Sequence, residues 1–300
     1  MGTRFSVVLP GMDSFVGEAL AEFADSHLRS QERLMSRFDS FSPISELNQR
    51  AGEEPITVPP ALWKILALCH SHWQRTRGAF DITQWPLNQL WRENVQRSEV
   101  PSDESIQQTR RITGMEQLQF DDTARTLKFA TEGMMLDLGG FGKGYALEPL
   151  ARHFREQGVA RAFFSFGESS VTVIGSHPHG SAWPVGIANM FHPETAVHTF
   201  QLRDASLSTS GTAPFNQTGG PQNFGHIISP RDGRPIEGYR TMSVAAPSAV
   251  DAEVLSTALL VTPEAERTEI LAGYPGASAI EIVYHPYNQF TPSIQWRYET

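Results

Sequence analysis

The sequence predicts an α+β protein, and two features of its apolar pattern lead to this prediction. Stretches with helical spacing of apolar residues stand between runs of short, hairpin-like strands, and the helices do not alternate regularly with the strands. No fixed-period repeat or low-complexity linker occurs along the chain. The 300 residues are therefore expected to form a single domain over 1–300, or two intimately joined subdomains.

The first part of the chain is predicted to be mainly helical. Apolar residues recur on one face from Ser14 to Phe38, which indicates a long amphipathic helix. A second helix should start at Pro59-Pro60 and end before Gly78, because proline suits a first turn and glycine a helix end. The predicted buried stripe of this helix is Leu62, Ile65, Leu66, Cys69 and Trp73.

Strands are predicted to dominate the rest of the chain. A short polar helix near 102–111 precedes a hairpin over 117–121 and 126–130, and a strand at 134–138 enters a glycine-rich turn and a helix over 145–157. Further strands are predicted at 160–166, 169–174, 184–188, 199–202, 226–228, 242–246 and 277–284, with helices at 250–261 and 263–273.

Composition and charge exclude several classes of protein. With 40% hydrophobic and 19% charged residues, and no run of ~18 apolar residues, the sequence predicts a soluble globular protein without a membrane span. The net charge of -9, without a cluster of Lys and Arg, argues against nucleic-acid binding. The single cysteine, Cys69, cannot form an internal disulfide and is predicted to be a core thiol.

The start of the chain bears on its compartment. Met1 is not followed by the basic, apolar and small-residue succession of a signal peptide. As written, this start predicts a cytoplasmic protein. A chain from which an export signal had been removed would start in the same way and would be periplasmic.

A glycine-rich turn at 139–144 is the most informative local feature. Glycines allow a ligand to approach the backbone closely, and Lys143 near a helix start favours phosphate oxygens. A Walker A loop is disfavoured because Gly144 stands where Ser or Thr is required, and Tyr145 occupies the third glycine position of a dinucleotide fingerprint. The alternative is a tight connection whose glycines only turn the chain.

Four other positions are candidates for chemistry. Glu253 and Thr257 lie four residues apart on a predicted helix, which places two hard oxygen ligands for Mg²⁺ on one face. The alternatives are a solvated glutamate and a capping or buried threonine. His226, at the edge of a predicted strand, is a candidate general base or a structural histidine. Asp81 follows a helix-ending glycine, where it either binds a ligand or stabilises a turn.

Several segments, taken in order, resemble the ApbE-like FAD:protein FMN transferases. The first matches are Met1-Gly2-Thr3, Ser45-Glu46-Leu47, Gly78-Ala79-Phe80-Asp81-Ile82-Thr83, Asp137-Leu138-Gly139-Gly140 and Lys143-Gly144-Tyr145-Ala146. Later matches are Thr209-Ser210-Gly211, His226-Ile227-Ile228-Ser229-Pro230 followed by Gly233, and Leu255-Ser256-Thr257-Ala258. Together they cover the chain from its start to about residue 260.

The resemblance implies a fold, a site and a reaction. The fold would be T-fold-like, with antiparallel sheets and helices around a flavin-binding cleft. The residues implied to surround FAD are Met1, Phe38, Ala79, Phe80, Asp81, Asp137, Lys143 and Ile228, and those implied to meet Mg²⁺ are Gly140, by its carbonyl, Glu253 and Thr257. The enzyme would transfer FMN from FAD to a Thr or Ser hydroxyl of a target redox protein and release AMP, with His226 taking the hydroxyl proton.

This sequence departs from the family pattern at several positions. Glu253 and Glu148 stand where the family usually has Asp. The Asn-Gly-Gly-Asp type segment is replaced here by residues 165–169, Ser-Phe-Gly-Glu-Ser, and the Ser-Gly-Asp-Tyr type segment by residues 210–213, Ser-Gly-Thr-Ala. Two other activities therefore stay open, which are hydrolysis of FAD to FMN and AMP and FAD binding without catalysis.

Overall fold

The computed structural model describes residues 3–212, 227–285 and 291–299. The chain separates into two compact units, and each is described by itself. Unit 1 consists of Met1–Glu32, Phe141–Gly211 and Gly238–Thr300, and unit 2 of Arg33–Gly140 and Thr212–Glu237.

The helices and strands are numbered along the chain. The helices are α1 (Ser14–Met35), α2 (Pro43–Arg50), α3 (Pro60–Arg75), α4 (Trp85–Gln96), α5 (Asp103–Arg110), α6 (Gly142–Glu156), α7 (Ala249–Val261) and α8 (Glu264–Ala272). The strands are β1 (Phe5–Val8), β2 (Ile56–Thr57), β3 (Leu118–Asp121), β4 (Thr126–Phe129), β5 (Ala162–Phe166), β6 (Ser170–Ile174), β7 (Trp183–Ala188), β8 (Ala196–Leu202), β9 (Ser206–Gly211), β10 (Tyr239–Ala246), β11 (Ser278–His285) and β12 (Thr291–Tyr298).

Unit 1 is organised by a seven-stranded sheet in the order β1-β5-β6-β9-β10-β11-β12, in which every neighbouring pair is antiparallel. Successive side chains point to opposite faces of a strand, so the sheet has two cores. On one face, residues such as Phe164 of β5 pack with Leu150 and Phe154 of α6 and Leu20 of α1. On the other face, Val171 and its neighbours pack against the β7–β8 hairpin.

Helix α7 is almost completely buried in unit 1. Nearly all of its residues are buried, so no polar face is left for solvent. Ser248 begins the helix as its N-cap, and its side chain accepts a hydrogen bond from the amide of Asp251. Because α7 is buried, each polar side chain that it carries must find a partner inside the protein.

Unit 2 combines a small antiparallel sheet, in the order β2-β4-β3, with helices α2 to α5. Its cluster of apolar side chains between α4, α5 and the 227–237 segment contains Leu87, Trp91, Ile106 and Ile228. The indole of Trp91 donates to the carbonyl of Gly233 at 2.7 Å, and this bond fixes the segment to α4. Trp91 is therefore a core residue.

The fold class is confirmed, because helices and antiparallel sheets are combined without βαβ alternation. The long first helix, the α3 helix, the β3–β4 hairpin and helices α6, α7 and α8 lie where the sequence predicts them, within a few residues.

Cys69 is a buried thiol, and burial raises its pKa well above the ordinary value. No helix among the described residues is long and apolar enough to cross a bilayer.

Three local predictions were wrong. Residues 134–138 form no strand, because the backbone of Leu136 is hydrogen-bonded by the side chain of Asn48 and not by a neighbouring strand. Of the strand predicted at 226–228, residue 226 lies outside the described residues, residue 227 is not in a strand, and Ile228 makes an isolated bridge to Pro235. On α3, His72 belongs to the buried stripe and Trp73 is only half-buried, since the helical period places residue 72 toward the core.

The buried imidazole of His72 should make stability depend on acid pH. Burial, followed by the charge of Arg75, lowers the pKa of His72 from 6.5 to about 4. Because the unfolded chain then binds the proton more tightly than the folded protein, the free energy of unfolding should fall as the pH drops from 6.5 to about 4, by about 3 kcal/mol in total. Urea unfolding of His72→Leu over this range should show a shallower fall; an unchanged slope would contradict this account.

Candidate functional site

The site in unit 1 is centred on an ion pair between α6 and the buried helix α7. The ammonium of Lys143, in the first turn of α6, contacts Oε1 of Glu253 on α7. The Glu253 side chain is only 4% exposed and that of Lys143 is 21% exposed. A buried carboxylate is stable only when it is paired and hydrogen-bonded, so this pair fixes the first turn of α6 against α7.

The second carboxylate oxygen of Glu253 is held by the sheet. Its Oε2 accepts hydrogen bonds from the hydroxyl of Ser170 at 2.6 Å and from that of Ser208 at 3.0 Å. Ser170 lies on β6 and Ser208 on β9, and both are buried. The carboxylate therefore has a cation on one oxygen and two neutral donors on the other.

A chain of hydroxyl groups begins at the backbone carbonyl of Glu253 and runs along α7. Ser256 donates to the carbonyl of Glu253 at 3.0 Å, Ser210 lies 2.8 Å from Ser256, and Thr257 lies 3.0 Å from Ser210. A hydroxyl has one proton, so the Ser256 bond to the carbonyl requires Ser210 to donate to Ser256 and Thr257 to donate to Ser210. The oxygen lone pairs of Thr257 are then left to accept a further donor or bind a cation.

Gly144 allows α6 and α7 to approach each other closely enough for this pair. A Cβ added at this position would lie 2.8 Å from Cβ of Glu253 and closer still to the carbonyl oxygen of Ala249. Glu148, one turn further along α6, accepts hydrogen bonds from the hydroxyl of Ser248 at 2.8 Å and the amide of Val250 at 3.4 Å. Glu148 thus caps the start of α7, where the helix dipole favours a carboxylate.

The donor set around Glu253 and Thr257 fits a magnesium ion. One carboxylate and one hydroxyl are hard oxygen ligands, and Mg²⁺ takes few protein ligands and completes its shell with water or phosphate oxygens. Oε1 of Glu253 is paired with the ammonium of Lys143, so a metal ion that used this oxygen would share it with Lys143 or displace it. The alternative of a solvated glutamate is wrong, because Glu253 is buried. Thr257 lies in the hydroxyl chain, and the alternative of a capping or buried threonine without a metal stays open.

In unit 2, Arg37 links Phe38 and Asp137, two residues predicted to bind the flavin. The side chain of Arg37 lies between two rings, 3.9 Å from the centroid of Phe38 and 3.2 Å from that of Trp85. Its Nε is 3.1 Å from Oδ2 of Asp137, which makes an ion pair although the N–H is not aligned for a hydrogen bond. Phe38 is 79% exposed, so its ring keeps a free face for a planar ligand.

The segment before the glycine turn is fixed by side-chain and loop contacts. The amide of Asn48 is bidentate to Leu136, accepting from the backbone N–H at 2.7 Å and donating to the carbonyl at 3.0 Å. The next amide, that of Asp137, donates to the carbonyl of Ile82 at 2.7 Å. Asp137 in turn accepts from the amide of Gly139 at 2.9 Å, so the turn that contains Gly140 is ordered by its own carboxylate.

Asp81 organises the loop that follows α3. Its Oδ1 accepts from the amide and hydroxyl of Thr83 at 2.7 and 2.6 Å, and its Oδ2 accepts from the Gln84 amide at 3.0 Å. Burial raises the pKa of Asp81, while these hydrogen bonds act in the opposite direction. The hydrogen bonds agree with the turn-stabilising alternative.

Asp81 also lines a cavity of about 540 Å³. The wall of this cavity includes Arg77, Arg110, Arg111 and Arg231, so a ligand-sized space adjoins Asp81.

The remaining predicted site residues lie in separate places. Ala79 and Phe80 are buried at 4% exposure each, so they support the Asp81 loop and offer little surface to a ligand. Ile228 packs in the core cluster with Trp91. Lys143 belongs to unit 1, whereas Gly140 belongs to unit 2. Met1 and His226 lie outside the described residues.

Sequence reasoning missed Arg37, Ser170 and Ser208, and it noted Ser210 only as part of the Thr209-Ser210-Gly211 match. The resemblance assigned the neighbouring Phe38 to the flavin, but an arginine near a helix end is common and does not by itself indicate a binding site. The alternation of Ser208 and Ser210 on a strand could have indicated a hydroxyl-lined face. That signal went unused because β9 itself was not predicted.

Comparisons with known proteins point to one group of enzymes. The model of the ApbE family matches residues 1–280. A Klebsiella pneumoniae (strain 342) protein named FAD:protein FMN transferase is 30% identical over 267 residues, covering 87% of this chain and 76% of the relative. The Escherichia coli (strain K12) protein of the same name is 28% identical over 277 residues, covering 90% and 79%.

Solved structures of such enzymes are also similar. The flavin transferase ApbE from Vibrio cholerae has a TM-score of 0.78 at 25% identity and covers 99% of this chain and 94% of its own. The flavinyl transferase ApbE from Pseudomonas stutzeri, in its apo form, has a TM-score of 0.79 at 26% identity, covering 98% and 92%.

The close approach at Gly144 leads to a stability prediction. Gly144→Ala should force α6 and α7 apart, separate Lys143 from Glu253 and lower the free energy of unfolding by about 2 kcal/mol. The matched control is Gly17→Ala in α1, where an added Cβ meets nothing within 4 Å. That change should raise stability by about 0.5–1 kcal/mol, because alanine is the better helix former. Urea unfolding measures both, and equal effects of the two substitutions would contradict the role of Gly144.

Proposed function

The chain belongs to the ApbE family, and on that premise we propose that it is a FAD:protein FMN transferase, which moves FMN from FAD to an acceptor protein. The acceptor group is a Thr or Ser hydroxyl of a redox protein, and the other product is AMP. The observation that carries the proposal is the buried Lys143–Glu253 pair, with the Thr257 hydroxyl on the same face of α7.

The residues proposed to bind FAD offer suitable surfaces. In unit 2, the exposed ring of Phe38, backed by Arg37, suits one face of an isoalloxazine ring. Asp137 and Asp81 are acceptors for hydroxyl and ring N–H groups, and Ala79, Phe80 and Ile228 hold the surrounding backbone. In unit 1, Lys143 is the cation for the pyrophosphate oxygens. Met1 stays a predicted contact.

The proposed reaction is a substitution at the phosphorus of the FMN part. The acceptor hydroxyl oxygen forms a bond to this phosphorus, and the bond from the phosphorus to the bridging pyrophosphate oxygen breaks. AMP leaves with that oxygen, and His226 takes the proton of the hydroxyl. Lys143 stabilises the negative charge that develops on the phosphate oxygens.

Magnesium is the cofactor that we propose for this reaction. The residues that would hold it are Glu253, through its carboxylate, and Thr257, through its hydroxyl oxygen; Gly140 stays a prediction from the resemblance. When bound, Mg²⁺ would withdraw charge from the phosphate oxygens and make the phosphorus more electrophilic. The hydroxyl chain through Ser210 and Ser256 keeps Thr257 oriented for this role.

Transfer can be tested by incubating the protein with FAD, Mg²⁺ and a candidate acceptor that carries a flavinylation-type Thr. The acceptor should gain the mass of FMN as AMP is released, and Glu253→Ala and His226→Ala should each lower the rate at least 100-fold, the order expected for losing a charge-stabilising or proton-accepting group. Mass spectrometry of the acceptor and chromatography of the nucleotides are the measurements. Release of AMP and free FMN without labelling would indicate hydrolysis, and intact FAD in all mixtures would contradict catalysis.

The stacking role of Arg37 gives a second test. Arg37→Gln removes the cation between Phe38 and Trp85 and the partner of Asp137, and should weaken FAD binding by about tenfold, the effect of roughly 1.4 kcal/mol. Flavin fluorescence during titration measures the affinity. Arg50→Gln is the control, because the ion-pair partners of Arg50 within the described part of the chain are the exposed Glu46 and Glu54. Equal affinities of both variants and the parent protein would rule out this role of Arg37.

A further inference from the structure

We propose that Ser170 and Ser208 are positioning residues that hold Oε2 of Glu253, so that Oε1 alone is presented to a cation. This inference rests on the proposed function, because the cation is the magnesium ion of that site. It adds two residues that touch neither substrate nor metal. Ser170 would act through Glu253, to which its hydroxyl donates. The hydroxyl of Ser208 also lies 3.2 Å from that of Ser256, so Ser170→Ala is the cleaner test of an effect through the carboxylate.

The two serines form one rung of the sheet. Ser170 of β6 and Ser208 of β9 are directly opposite each other in the antiparallel register, so their side chains point to the same face. Both hydroxyls donate to the same oxygen of Glu253, at 2.6 and 3.0 Å. All three residues are at most 3% exposed, so water does not compete for these bonds.

The position of Ser170 depends on the turn before it. Residues 167–169 connect β5 to β6, and Gly167 and Glu168 both have positive φ, 64° and 61°. A Cβ on Gly167 would approach the hydroxyl of Thr3 to 2.6 Å, so glycine is required there. The turn that replaces the family's Asn-Gly-Gly-Asp type segment thus ends with Ser170 in line with Ser208.

The distance from α7 to the hydroxyls of Ser170 and Ser208 suits the length of a glutamate side chain. An aspartate on α7 would withdraw its carboxylate by about 1.5 Å, the length of one carbon–carbon bond. Hydrogen bonds of 2.6 and 3.0 Å would then be stretched beyond the range of effective hydrogen bonding. The longer side chain and the two serines therefore act together, and they leave Oε1 as a single ligand oxygen facing Lys143.

The neighbouring rung supplies a matched control. Thr172 and Ser206 are opposite each other on the same two strands, two residues further along, and are therefore the next pair on the same face. Their hydroxyls lie 2.9 Å apart and both residues are buried. Ser206→Ala removes a buried hydroxyl hydrogen bond from β9, as Ser208→Ala does. Within the described part of the chain, the hydroxyl of Ser206 is bonded to Thr172 and not to Glu253.

The test measures metal binding separately from catalysis. Mn²⁺ is titrated into the metal-free protein without FAD, and free Mn²⁺ is read by electron paramagnetic resonance. Ser170→Ala and Ser208→Ala should each weaken Mn²⁺ binding by roughly tenfold or more, the effect of losing a residue that orients a ligand. Ser206→Ala should bind Mn²⁺ as the parent does, and Ser208→Thr, which keeps the hydroxyl, should retain most of the affinity. Urea unfolding in a chelator checks that each variant is folded.

The outcomes separate this inference from the proposed function. Parent-like Mn²⁺ affinity in both Ser170→Ala and Ser208→Ala would overturn it, and so would an equal loss in Ser206→Ala, because the effect would then come from sheet packing. If the parent transfers FMN but none of the serine variants changes Mn²⁺ affinity, the positioning role alone fails. If the serine variants weaken Mn²⁺ binding but the parent transfers no FMN, the proposed function fails and the positioning role stands.

Discussion

The burial of one carboxylate, that of Glu253, sets the requirements for the rest of unit 1. A buried carboxylate without partners costs several kcal/mol, so its surroundings must supply a cation and hydrogen bonds. Helix α6 supplies Lys143, and the sheet supplies Ser170 and Ser208. Each partner comes from a different element, so the packing of α6, α7, β6 and β9 is correct only when all of these contacts form together.

In unit 2, an arginine has the corresponding central position. Arg37 joins the exposed ring of Phe38 to Trp85 and to the carboxylate of Asp137. The backbone next to Asp137 is held in turn by Asn48 and by the loop that Asp81 stabilises. Contacts made by polar side chains therefore link Phe38, Asp137 and the Asp81 loop, which the resemblance assigns to the flavin.

The sequence predicted what depends on local pattern. The spacing of apolar residues located α1, α3, α6, α7 and most strands, and the i, i+4 relation placed Glu253 and Thr257 on one face of α7. Pattern could not show that residues 134–138 are extended without a strand partner, because that depends on Asn48, which is distant in sequence. It also could not pair Ser170 with Ser208, because strand register is set by tertiary packing.

The rung of serines under Glu253 has a consequence for how positions 170, 208 and 253 can change during divergence. Exchanging the acid alone would leave either a shortened carboxylate beyond the reach of two buried hydroxyls or a lengthened one without them. Residues 170, 208 and 253 therefore form an epistatic set, in which the fitness effect of each replacement depends on the other two. Changes at these positions should be inherited together, across strands and a helix that are far apart in the chain.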